Sequence, residues 1–190
     1  MPPGRPQRAL QWVVDGYTLT FAALLLSGGA LGDRLGSRRI LVSGLALFVV
    51  ASAICGLAPT VLALVIARLV QGVGAALAVP ASLALLQATY ADAAARARAV
   101  GVWGGVAGIA AAAGPVIGGV LVAAASWRLV FFINVPIGLA GLVLTIRCVA
   151  DTPARPRSMD FLGEILAVVT LSALTVALIE AGRFGWTPPR

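Results

Sequence analysis

From Leu10 to Ala181 the chain is a succession of apolar runs separated by short arginine-bearing breaks. A helix rises about 1.5 Å per residue, so about 20 apolar residues cross a hydrocarbon core about 30 Å thick. Six runs reach that length, at 10–32, 40–57, 61–90, 99–125, 129–146 and 161–181. Composition agrees with them: 60% of the 190 residues are hydrophobic and 11% are charged. A soluble domain carries about 25% charged residues, and one of this size leaves too much surface outside its core to hide so much apolar side chain. The expected fold is an all-α integral membrane protein with six transmembrane helices, multi-pass in the cell membrane.

The net charge of +7 does not point to nucleic acid. Binders of nucleic acid gather their charge on one solvated face, whereas these basic residues, all arginine, sit mostly in the breaks. With no histidine and two cysteines, a metal centre has almost no ligands to draw on, and none is expected. Nor does any run carry a histidine pair, a paired-carboxylate face or a nucleophile set, so a membrane enzyme is the least supported class. Arg5 and Arg8 precede the first run as they would in a signal peptide. Five further runs follow, however, with no cleavage site before a soluble domain.

Arginine placement gives an orientation. Alternate breaks hold Arg34, Arg38 and Arg39, then Arg96 and Arg98, then Arg147, Arg155 and Arg157; the other side holds Arg5, Arg8, Arg128, Arg183 and Arg190. The richer side is expected to be cytoplasmic, with both termini outside. Cys55 and Cys148 then fall near opposite faces, too far apart for a disulfide, and read as packing residues.

Four segments ask for more than a span. Gly29-Ala30-Leu31-Gly32-Asp33-Arg34-Leu35-Gly36-Ser37-Arg38-Arg39 has the form of a tight turn between antiparallel helices. Gly36 supplies backbone freedom, Gly32 a close helix contact, and Asp33 an acceptor. A plain positive-inside loop would explain the arginines but not the ordered spacing. Arg68 lies about two turns inside its run, where an arginine costs at least about 2.5–3.5 kcal/mol; snorkelling is the simpler alternative. Gln71 follows one turn later. The fourth run carries Gly101, Gly104, Gly105, Gly108, Gly114, Gly118 and Gly119 with Pro115 inside it. Small residues at such spacing permit close helix packing, and an interior proline frees a carbonyl. Trp127 and Arg128 suit an interfacial anchor, and Asn134 and Pro136 follow within the next run.

These segments together resemble the major facilitator superfamily. The Gly29–Arg39 string is similar to its signature loop between the second and third helices. The stretch Leu64-x-x-x-Arg68-x-x-Gln71-Gly72-x-Gly74-Ala75-Ala76 is similar to its fourth-helix motif, and Gly114-Pro115-x-x-Gly118-Gly119 to the antiporter motif of its fifth. The sequence 127–138 and Gln11-Trp12-Val13-Val14-Asp15-Gly16-Tyr17 resemble the fourteen-helix drug/proton antiporters of the EmrB/QacA type. The resemblance implies a transporter without cofactor, driven by a proton gradient, that exports small lipophilic or cationic compounds. It implies proton coupling at Arg68 and Gln71, and a gating loop at Gly29, Asp33, Arg34, Gly36 and Arg38. It also implies an antiporter motif at Gly114, Pro115, Gly118 and Gly119, and a sixth-helix signature at Trp127, Arg128, Asn134 and Pro136. Ser37 stands where that family is usually basic.

The organisation expected is a polar leader at 1–9, helices resembling the second to sixth of the superfamily's N-terminal half at 10–146, a cytoplasmic Pro/Arg-rich linker at 147–160, and a helix resembling the seventh at 161–190. Partners expected are the bilayer, protons, the substrate and a C-terminal half not contained in these residues. The other class kept open is a truncated, non-transporting membrane protein or interaction subunit.

Overall fold

The computed structural model describes residues 5–151 and, beyond them, helical positions 163, 165, 166, 169, 170, 173, 174 and 177. Among the described residues the continuous elements are α1 (Arg5–Leu35), α2 (Ser37–Leu57), α3 (Val61–Thr89), α4 (Ala93–Ala124), α5 (Leu129–Phe132) and α6 (Asn134–Cys148). Five segments are long and apolar enough to cross a membrane: Gln11–Leu35, Ser37–Leu57, Val61–Thr89, Ala93–Ala124 and Leu129–Cys148, the last combining α5 and α6. The sixth run, at 161–181, falls mostly outside the described residues, as do Arg155 and Arg157.

Local chemistry sets the ends of these helices. Gly36 joins α1 to α2 with φ 93°, a left-handed value that favours glycine. Thr60 caps α3 by accepting from the Ala63 N–H at 3.1 Å. Asp92 does the same for α4 through Ala95 at 2.8 Å. The Asp92 cap starts α4 six residues before the apolar run does, so Arg96 and Arg98 ride on its first turns instead of lying in a break. Alanine and arginine are strong helix formers, which is why hydropathy alone misplaces this boundary. Likewise α1 is already helical at Arg5 and α6 continues through Arg147 and Cys148. Between α5 and α6 the helix is interrupted at Ile133, where Pro136 has no N–H to offer the Phe132 carbonyl.

The centre of the packing is α3, with α1 on one side and α2 on the other; α6 lies against α2. Where α2 crosses α3, a methyl on Gly44 would come within 2.8 Å of the Gly74 carbonyl oxygen, and one on Gly74 within 2.7 Å of the Phe48 nitrogen. Two apolar clusters fill the bundle. Ile40, Leu41, Ala78, Ala81 and Leu85 close the end beside Arg38, and Cys55, Ala58, Leu64 and Ala67 close the opposite end. Helix α4 stands apart: among the described residues it touches only α3 and α5, and none of its own residues is buried. An apolar cleft of about 870 Å³ separates it from α2 and α3, lined among others by Leu41, Leu45, Val102 and Val106. The exterior exposes Ile54, Leu62, Ile66, Ile109 and Val116, a surface suited to lipid rather than water.

Candidate functional site

Arg68 projects from α3 into the crevice between α1 and α3. Its Nε donates to the Val13 carbonyl oxygen at 3.0 Å, and its Nη1 donates to Gln71 Oε1 at 2.8 Å. The guanidinium carbon lies 4.2 Å from the centre of the Tyr17 ring and 5.9 Å from that of Phe131. A cation inside an apolar span is tolerable only when such partners replace water, and a π face adds about 2 kcal/mol when desolvated. A snorkelling arginine would extend to the interface instead. Here the side chain is turned onto a carbonyl, an amide and a ring.

Gln71 is itself buried at 1% exposure. Its Nε2 donates to Ser52 Oγ at 2.5 Å, while Cys55 Sγ lies 3.8 Å from Oε1 as a donor. Sequence reasoning found Arg68 and Gln71 but missed Val13, Tyr17, Ser52 and Cys55, which carry no charge and stand far off in the chain. Cys55 does more than pack, and Cys148 is exposed rather than packed; both are free thiols.

The sixth-helix segment meets the same end of the bundle. Arg128 Nη1 donates to the Gly56 carbonyl oxygen at 2.6 Å, satisfying an end carbonyl of α2, and its guanidinium stacks on Trp127 at 4.7 Å. Phe132 lies so close to Gly56 that a methyl there would come within 2.7 Å of Phe132 Cζ. Asn134 Nδ2 makes a long 3.5 Å contact to the Val130 carbonyl, and Pro136 is exposed.

At the arginine-rich end, Asp33 and Arg34 are exposed. Arg38 pairs through Nη1 with Asp151 Oδ1 at 2.6 Å and donates through Nη2 to the Ile146 carbonyl at 2.7 Å, so it ties the start of α2 to the end of α6. Gly32 and Gly29 need no special room: added methyls would make ordinary 3.7 Å contacts with Ser37 and Pro80. The close approach falls at Gly28, one turn before Gly32. Gly114, Pro115, Gly118 and Gly119 come together with none of these groups, and among the described residues methyls on the three glycines would meet nothing within 4 Å.

The family model described as Major Facilitator Superfamily matches residues 5–188. The chain belongs to the Major Facilitator Superfamily. As a member of that superfamily with five spans described, it is an integral membrane protein. It is 48% identical over 178 residues to the methylenomycin A resistance protein of Bacillus subtilis (strain 168), covering 94% of this chain and 38% of that protein. It is 41% identical to the multidrug resistance protein Stp of Mycobacterium tuberculosis (strain ATCC 25618 / H37Rv), covering 94% of this chain and 33% of that one. Similarity to the cephamycin export protein CmcT of Amycolatopsis lactamdurans is also 41%, over 94% of the chain and 37% of the relative. The chain thus spans between about a third and two fifths of the length of these superfamily relatives. The crystal structure of a peptide transporter POT (E310Q mutant) with sulfate shares the fold, with TM-score 0.69 and 18% identity over 95% of this chain and 39% of that one.

Proposed function

We propose that these helices form part of a proton-coupled exporter of small, lipophilic, drug-like compounds. Its proton-coupling centre is Arg68 with Gln71, its cytoplasmic gating loop is Gly29–Arg38, and the glycines of α4 beside Pro115 form its antiporter segment. The observation that carries this reading is the Arg68 arrangement. A cation deep in a span is held by a carbonyl, a neutral amide and an aromatic face, with no carboxylate among its partners in the described residues. Such a cation can answer to a proton arriving on, or leaving, a neighbouring group. Relatives named for methylenomycin A resistance and cephamycin export support small antibiotics as the substrate class.

In this reading the arginine-rich end faces the cytoplasm, a sixth span follows at 161–181, and 152–160 belongs to the linker before it. Transporters of this kind enclose their substrate at mid-membrane between two halves that rock against each other. The second half is the partner proposed for these helices, and the proton gradient is the only driving agent, without a cofactor.

A chimera tests the proposal: residues 1–190 replace the matching segment of the Bacillus subtilis methylenomycin A resistance protein. In inverted vesicles the chimera should move a fluorescent lipophilic cation or methylenomycin A only when a proton gradient is imposed. An uncoupler or Arg68→Ala should abolish the movement without reducing the inserted amount. Gradient-independent movement, or full activity of Arg68→Ala, would overturn it.

A further inference from the structure

Gln71 is a buried amide with two unlike ends. Arg68 offers only donors, so the amide must turn its oxygen toward the guanidinium; the reverse orientation would set donor against donor. Arg68 sets that choice, but nothing else in α3 holds the amide in place. The hold comes from α2, where Ser52 and Cys55 lie one turn apart on the same face and both are 0% exposed. The Ser52 hydroxyl oxygen accepts from Gln71 Nε2 at 2.5 Å. The Cys55 thiol, a weak donor, points at Oε1 from 3.8 Å. One orientation of the amide satisfies the hydroxyl, the thiol and the guanidinium at once. The other leaves buried donors opposed, which is expensive away from water.

We infer that Ser52 and Cys55 are positioning residues for Arg68. Acting through Gln71, they hold the amide with its oxygen toward the guanidinium, and so keep Arg68 on the Val13 carbonyl and the Tyr17 ring. Position of α2 therefore enters the state of Arg68. Because Arg128 holds the Gly56 carbonyl next to Cys55, movement of the α5 segment reaches Arg68 by the same route. The consequence for transport rests on the proposal that Arg68 couples protons; the geometric statement does not.

The test uses the 190-residue chain with 15N-labelled arginine in lipid nanodiscs. The Arg68 Nε–H resonance is the one that disappears in Arg68→Lys, and its exchange with water is measured. Ser52→Ala should speed that exchange roughly tenfold, the scale of one lost buried hydrogen bond. Cys55→Ala should speed it less, and Cys55→Ser, which keeps a donor, should leave it unchanged. In a Gln71→Leu background Ser52→Ala should add nothing. Unchanged exchange in Ser52→Ala, or an increase that persists in Gln71→Leu, would overturn the inference. Cys55→Ser serves as the folded reference if the alanine variants insert poorly. In the chimera, Ser52→Ala should lower the maximal gradient-driven rate with KM unchanged. A wild-type chimera that shows no gradient-driven transport counts against the proposed function alone, since the exchange measurement stands without it.

Discussion

Gly28 of α1 lies with its Cα against the carbonyl oxygen of Ala76, the oxygen that Pro80 leaves without a helical donor four residues on. The proline removes an N–H from the interior of α3, and the glycine brings a backbone close enough to cover the freed oxygen. A Cα–H contact of this kind is weak, but it is repeated wherever helices approach closely. Two residues 52 positions apart thus pin one end of the α1–α3 crossing, with Arg68 held in the same crevice.

Gly28→Ala should be the most damaging alanine substitution in α1. Its methyl would enter the Ala76 carbonyl and approach the Ala76 carbonyl carbon at 2.9 Å. Backbone cannot yield as a side-chain tip does, so the cost is about 1–3 kcal/mol or more. Gly29→Ala, whose methyl would meet Pro80 at an ordinary 3.7 Å, should be tolerated. Thermal stability of the detergent-purified chain, followed by size-exclusion of a fluorescent fusion, separates the two. Equal midpoints for both variants would contradict the crossing described here.

The parts legible in sequence were those marked by apolar length, by an out-of-place charge or by helical spacing. Spans follow from apolar length, and Arg68 stands out because a cation there is expensive; Gln71 follows from helical spacing. Gly28 does not stand out beside Gly29 and Gly32, because all three are small residues on one helix and only the partner surface distinguishes them. Ser52 and Cys55 carry no signal in a run of alanines and valines, since their role exists only once α2 crosses α3 at Gly44 and Gly74. The start of α4 was hidden for another reason: Arg96 and Arg98 interrupt hydropathy without interrupting the helix.

Arg68→Lys should insert as well as the parent yet lose coupled transport in the chimera. Lysine keeps the charge, but a single ammonium on a flexible stem lacks the planar fork that reaches the Val13 carbonyl and the Gln71 amide together. The gradient-driven rate should fall at least about tenfold, which corresponds to about 1.4 kcal/mol. Initial rates in inverted vesicles, normalised to inserted protein, check this. A rate within about twofold of the parent would show that charge alone suffices.

The Arg38–Asp151 pair should contribute little to stability. Asp151 is 70% exposed, and exposed pairs couple by about 0.2–1 kcal/mol. A double-mutant cycle of Arg38→Ala and Asp151→Asn, read by thermal unfolding, should give a coupling in that range that shrinks between low and high salt. Arg38→Ala alone should cost somewhat more than Asp151→Asn, because it also strips the donor from the Ile146 carbonyl at the end of α6. Equal effects would mean that the carbonyl contact carries no weight.

The glycines at the α2–α3 crossing and those of α4 should respond oppositely when each is changed to alanine in residues 1–190. At Gly44 and Gly74 a methyl meets backbone atoms of the opposite helix within 2.7–2.9 Å, so both substitutions should lower the unfolding midpoint. At Gly104, Gly108, Gly114 and Gly118 a methyl meets nothing within 4 Å among the described residues. There the only local effect is helix propensity, which favours alanine over glycine by about 1 kcal/mol in a helix interior. These four variants should match or exceed the parent in stability. If the α4 segment works as an antiporter motif, its glycines serve contacts that rearrange during transport rather than contacts holding this bundle together. Gly114→Ala should then keep its midpoint in the 190-residue chain while lowering gradient-driven efflux in the chimera. The two measurements decide separately: a lowered midpoint would place the α4 glycines in the packing of these helices, and unchanged efflux would remove the antiporter role from Gly114.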